Sequence, residues 1–143
     1  LAAHDRSAFR VFCYSSGDLP DAVTDRLRGK SDFWRDIGPL PDPIVADRVR
    51  ADGIDILVDL AGHTAGGRLL LFARKPAPVQ VSWLGYPGTT GLRTMDYRIT
   101  DAVADPPDMD ASGYAEQLVR LPNGFLCYAP PADAPDVGPL PAL

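Results

Sequence analysis

The chain has 143 residues, 45% hydrophobic and 23% charged, which suits one folded domain with a real core and excludes disorder throughout. Its formal net charge of -5 argues against a nucleic-acid or anionic-membrane surface, since both need clustered Lys and Arg. Apolar runs such as Ile54 to Ala61 are interrupted by Asp55 and Asp59, and fall short of the roughly 20 residues a membrane helix takes.

Leu1 to Asp5 reads as the last turn of a helix begun upstream, with no signal-peptide pattern. Phe9 to Ser15 is β-branched and aromatic, a strand pattern. Asp18 to Gly29 reads as a helix with Pro20 in its first turn, Val23 and Leu27 four apart, and Gly29 as its stop. A short extended piece, Ser31 to Gly38, precedes a helix expected to start with Asp42 as cap and Pro43 in first position. That helix runs to Gly53 with Val45 and Val49 on one face.

Ile54 to Leu60 is the clearest strand, with the apolar density of a central position covered on both faces. The turn Ala61 to Gly67 leads into a short helix, Arg68 to Arg74, ended by Pro76. Pro78 to Leu84 holds a second buried strand that empties into the Gly- and Pro-dense loop Gly85 to Gly91. Asp96 to Thr100 and Gln117 to Leu121 are further strands, and acidic Asp101 to Ser112 is expected to loop over the surface. Residues 129–143, rich in Pro and Ala, read as a linker. Strands and helices alternating at this spacing predict parallel βαβ units in an open, mainly parallel Rossmann-like α/β sheet. Ligands in such sheets sit beyond the carboxyl ends of the strands. Gly62 to Gly67 and Leu84 to Gly91 are therefore expected on one edge, and they are the loops to weigh.

Gly62, Gly66 and Gly67 follow a strand and open a helix, so backbone amides there could cradle an anion. The dinucleotide and Walker spacings are both missing, and an ordinary turn explains the glycines as well. His63 reads as a general base or a polar cleft wall, or as a loop histidine bonded to nearby backbone. Thr64 offers a hydroxyl. Arg68 reads as a phosphate or substrate contact, or as a solvated arginine. In the second loop Gly85 and Gly88 permit close approach to the backbone, Pro87 fixes one φ, and Trp83 and Tyr86 present flat faces to a sugar. A rigid structural turn fits the same residues. Cys13 and Cys127, far apart in apolar stretches, are expected as buried free thiols. The two histidines and two cysteines have no metal-ligand spacing. No hydrolase elbow and no acid/base pair of carboxylates is present. Soluble and cytoplasmic is the expected class.

Taken together, Asp52 to Thr64, Arg68, Phe72-Ala73, the run Pro76 to Gly91 and Met95-Asp96-Tyr97 resemble the protein O-linked N-acetylglucosamine transferases and their bacterial and SPINDLY-type relatives. The likeness extends through Tyr114, Glu116 and Leu121-Pro122, and upstream to Phe9–Tyr14, so it covers nearly the whole chain. It implies a nucleotide-sugar glycosyltransferase acting on Ser or Thr of acceptor proteins, with UDP-N-acetylglucosamine as substrate and no metal or other cofactor. It also implies that residues 1–128 are the greater part of the first of two Rossmann-like lobes, truncated at its start. The second lobe, an upstream His-Pro motif and tetratricopeptide repeats would lie outside this sequence, leaving the chain alone inactive. By the same resemblance Leu84, Gly85 and Pro87 line the donor-sugar pocket, while His63, Thr64 and Arg68 lie in a cleft near the acceptor. No catalytic base is implied, because position 63 is often Tyr in animal members and His in bacterial ones. Two alternatives stand beside this reading: a noncatalytic α/β interaction module of the same fold, and a small self-contained nucleotide-binding enzyme.

Overall fold

The computed structural model describes residues 1–17, 19–128, 131 and 133–138. Strands β1 (Phe12–Ser15) and β2 (Phe33–Asp36) form a parallel pair. Strands β3 (Ile56–Asp59), β4 (Val79–Ser82), β5 (Tyr97–Asp101) and β6 (Gln117–Leu121) form a second, all-parallel sheet in that spatial order. Helices α1 (Ala22–Arg28), α2 (Asp42–Ala51) and α3 (Leu69–Phe72) occupy the first three crossovers. This is the open α/β architecture expected. The linker expected at 129–143 lies largely outside the described residues.

Local chemistry sets the helix ends. Asp21 caps α1 through a reciprocal box: its Oδ1 accepts from the Thr24 amide at 2.7 Å, and the Asp21 amide donates to Thr24 Oγ1 at 3.3 Å. That box, rather than Pro20, fixes the start, so α1 begins later than the sequence pattern suggested. In α2 the cap position is Pro41, with no side-chain cap bond, and Asp42 is already helical. The Asp42 carboxylate is engaged elsewhere, by Arg68. Val45 and Val49 share the buried face as expected and join Leu57, Leu71, Phe72 and Met95 in the core. Tyr14 and Arg35 both donate to the Asp52 carboxylate, at 2.7 and 3.0 Å, tying the β1–β2 pair to the end of α2.

Three expectations are corrected. Among the described residues β3 is the edge strand of its four-stranded sheet rather than a central one. Residues Val45, Val49, Leu71 and Phe72 of α2 and α3 pack with Leu57 on one side, while Ile56, Val58 and Leu60 point the other way and are 56%, 41% and 58% exposed. Cys127 is exposed and outside any strand, whereas Cys13 is half-buried with its pKa pushed up by burial. The segment after β5 is not merely a surface loop. Its Asp105 is buried, accepting from Thr100 Oγ1 and from the Tyr114 hydroxyl (2.7 Å), while Arg120 Nε donates to the Asp105 carbonyl at 2.7 Å.

Candidate functional site

β3 and β4 are adjacent and parallel, with Asp59 opposite Ser82, so the loops that follow them leave the same carboxyl edge side by side. The two loops touch through their glycines. A Cβ on Gly62, which has φ +59, would lie 2.6 Å from Tyr86 Cβ. A Cβ on Gly85 would lie 2.2 Å from the Leu60 carbonyl oxygen and 2.7 Å from Ala61 Cα. The space that the sequence reading kept at Gly85 for a sugar is filled by backbone. His63 meets the Tyr86 ring edge-on, with centroids 5.0 Å apart.

Leu84 is the geometric outlier. Its φ is +68, and the Gly85 amide donates back to the Trp83 carbonyl at 2.9 Å, closing a tight turn of three residues. A non-glycine residue held there costs about 1–3 kcal/mol, and such strain persists only where surrounding structure enforces it. Two buried charged side chains enforce it here. Arg98, only 2% exposed, donates from Nη1 to the carbonyls of Tyr86 (2.8 Å) and Gly88 (3.0 Å). Its Nε faces Asp105 at 3.9 Å. Glu116 accepts from Thr89 Oγ1 (2.7 Å), from the Thr90 amide (2.7 Å) and from Thr90 Oγ1. Burial pushes the Glu116 carboxyl up, but the hydrogen bonds from Thr90 and Thr89 outweigh it and hold the pKa below its ordinary value. Trp83 Nε1 donates to the Phe125 carbonyl at 2.9 Å, fixing the start of the loop.

The first loop is built around Asp59, whose carboxylate accepts from the amides of Ala61 and Gly62, both at 3.0 Å. A carboxylate already sits where an anion would have docked, and the Gly67 amide is bonded to the Thr64 carbonyl. The Gly62 and Gly67 amides are therefore already engaged, which counts against the phosphate-cradle reading. Thr64 is exposed, with its hydroxyl on the Ala61 carbonyl at 2.8 Å. Arg68 has its guanidinium turned into the fold. Its Nε donates to Asp42 (2.8 Å), Nη1 to the Ile37 carbonyl (2.8 Å) and Nη2 to the Leu40 carbonyl, so the guanidinium anchors the loop to the turn before α2. The structure thus groups His63, Thr64, Leu84, Gly85 and Pro87 with Tyr86 at one edge, while the Arg68 guanidinium is engaged by Asp42 and the carbonyls of Ile37 and Leu40. Arg98 and Asp59 were missed as builders of the site. The available signal was a charged residue at an inward position of each strand. No cluster of His, Cys, Asp or Glu suited to a metal occurs among the described residues, and no helix there is long and apolar enough to cross a membrane.

Comparison with known proteins finds a match to the family described as "Glycosyl transferase family 41" over residues 2–129. The protein named "Probable UDP-N-acetylglucosamine--peptide N-acetylglucosaminyltransferase SPINDLY" from Solanum lycopersicum is 51% identical over 147 aligned residues, covering 100% of this chain and 16% of its own length. The "UDP-N-acetylglucosamine--peptide N-acetylglucosaminyltransferase" of Caenorhabditis elegans is 41% identical, over 85% of this chain and 11% of its own. Among solved structures, a mutant Thermobaculum terrenum O-GlcNAc transferase superposes with a TM-score of 0.89 at 52% identity, over 96% of this chain and 26% of that one. The chain thus spans about a sixth of the length of the curated relatives it matches.

Proposed function

Because this chain belongs to glycosyl transferase family 41, we propose that it is part of an enzyme transferring N-acetylglucosamine, or a related sugar, from a uridine-diphosphate donor to Ser or Thr hydroxyls of proteins. The observation that carries this reading is the strained turn at Leu84, held at the carboxyl edge of the sheet by buried Arg98 and Glu116. Leu84 and Pro87 form the donor-sugar wall, and Tyr86 adds a flat ring face beside them. Gly85 serves that wall by letting the Leu84 turn lie against Leu60 and Ala61. His63 and Thr64, exposed on the neighbouring loop, line the acceptor side.

Transfer requires an acceptor hydroxyl in line with the anomeric carbon and stabilisation of charge on the departing diphosphate. The groups placed here bind and orient the sugar. The charge stabilisation is assigned to a second lobe outside this sequence, with tetratricopeptide repeats in the parent. No metal is invoked, and the cytoplasm is the proposed compartment. The 143-residue chain alone is expected to bind the donor weakly.

Leu84→Gly in the full-length protein tests the reading. Glycine relieves the left-handed φ, so the melting temperature should hold or rise, while removal of the side chain should raise the KM for the nucleotide sugar at least fivefold. A variant that transfers sugar with parental kinetics removes Leu84 from the site and the reading with it.

A further inference from the structure

The parallel connections from β4 to β5 and from β5 to β6 contain no helix among the described residues, although such crossovers usually carry one. The first is the loop that bears Leu84 and Pro87. The second, residues 102–116, is long for irregular chain. Ordered stretches beyond about 12–15 residues without secondary structure are uncommon in compact domains and are usually functional. This second crossover folds against the first and grips it at two points. At its end, Glu116 accepts from Thr89 and Thr90, and the Ala115 amide donates to Thr89 Oγ1 at 3.2 Å. Near its start, Asp105 acts on the loop through Arg98.

A buried guanidinium is costly unless a carboxylate neutralises it. Arg98 is 2% exposed, and the carboxylate it faces is Asp105, 4% exposed. The 3.9 Å from Arg98 Nε to Asp105 Oδ2 is a charge contact without a hydrogen bond. Asp105 therefore holds the charge without turning the fork away from the loop, and Nη1 stays on the carbonyls of Tyr86 and Gly88. Tyr114 supports the pair twice. Its hydroxyl donates to Asp105 Oδ1 at 2.7 Å, and the guanidinium carbon lies over its ring, 6.0 Å from the centroid. Thr100 Oγ1 donates to the other carboxylate oxygen. Burial pushes the Asp105 carboxyl up, but the two hydrogen bonds and the Arg98 charge outweigh it and hold the pKa below its ordinary value.

We propose that Asp105 and Tyr114 are positioning residues for the nucleotide sugar: they hold Arg98 against the Tyr86 and Gly88 carbonyls and so set the place of Leu84 and Pro87. The proposal rests on the reading of that loop as the donor-sugar wall. The two carbonyls that Arg98 takes flank Pro87, whose ring already fixes one φ, so tying both leaves the segment few ways to move. Neither Asp105 nor Tyr114 is asked to touch the sugar. A slack wall holds the sugar less well before transfer and during it alike, so its loss raises KM and leaves kcat in place.

The test uses the full-length protein and Tyr114→Phe, which keeps the ring over Arg98 and deletes the hydroxyl that orients Asp105. The KM for the nucleotide sugar should rise about threefold or more, with kcat within about twofold of the parent. Amide exchange of residues 84–86 and 88–91 should quicken about threefold or more while that of β5 and β6 holds, a pattern that general loosening of the fold would not give. In an Arg98→Met background, Tyr114→Phe should add nothing to either quantity, because the path through Arg98 is already cut. Asp105→Asn should raise KM further than Tyr114→Phe does. Should either charge-removing variant fail to fold, the KM and exchange of Tyr114→Phe decide alone. Additive effects of the two changes overturn the proposal, as does parental loop exchange in Tyr114→Phe, whatever its KM. Quickened loop exchange with a parental KM sinks the donor-wall reading instead, while the grip on the loop stands.

Discussion

Gly85→Ala is the substitution most sharply constrained by the geometry. The added Cβ would stand 2.2 Å from the Leu60 oxygen, 2.6 Å from the Leu60 carbonyl carbon and 2.7 Å from Ala61 Cα, all of them backbone atoms. Ordinary contact begins near 3.4 Å. The two loops must therefore separate by about 1 Å, and no side-chain rotation can absorb the shift. Forced backbone displacement of this kind costs about 1–3 kcal/mol, and rigid atoms put this case at the upper end. At roughly 3 °C per kcal/mol the melt of the 143-residue chain should fall by about 10 °C, with Gly85→Val worse. Gly113→Ala is the control, since nothing lies within 4 Å of its added Cβ, and it should melt within about 1 °C of the parent. Circular-dichroism melts and urea titrations of the three proteins decide the matter. Had the missing Cβ served only to clear a sugar, Gly85→Ala would fold normally and lose only donor affinity. An Ala variant melting within about 2 °C of the parent refutes the backbone account and restores the clearance one.

Arg68→Gln should cost about 2–3 kcal/mol in urea titration, by breaking the bonds to Asp42, Ile37 and Leu40 and leaving a half-buried carboxylate unpaired. Parental stability with weakened acceptor binding would return Arg68 to the cleft. The Glu116 pKa is lower in the folded chain than its ordinary value of 4.5, so its contribution is complete above that pH and lost as pH falls through the folded value. Asp105, also lowered, behaves likewise below its ordinary 3.8. Urea midpoints should hold steady from pH 7 to about 5 and then drop, and Glu116→Gln should flatten the drop. An unchanged pH slope in that variant would count against the Glu116 network.

Element identities were readable because local patterns carry them: the Val45–Val49 spacing in α2, the glycine stop after α1, the apolar density of β3 and β4. Strand order was not, because an apolar run is compatible with any neighbour, and β3 owes its edge position to what lies beside it. The faces of β5 were also hidden. Arg98 and Thr100 point inward while Tyr97 and Ile99 lie on the other side, which inverts the usual apolar-in pattern. That inversion is why Arg98 escaped notice. The site loops were found by their glycines and their place after strands. The partners of Gly62 and Gly85 come from segments some 25 residues away, which spacing alone does not encode.

The loop between Leu84 and Gly91 is held by side chains that come later in the chain, at positions 98 and 116. During synthesis β3 and β4 can pair as soon as both have emerged, but the loop stays unfastened until β5 and then β6 dock. At roughly 5–20 residues per second, about 25 further residues mean a lag of a second or more between forming the sheet and shaping its edge. A nascent chain halted before Glu116 would carry the framework without the shape. The final turn of the site is set by a residue at the threshold of β6, which emerges after the sheet edge it shapes.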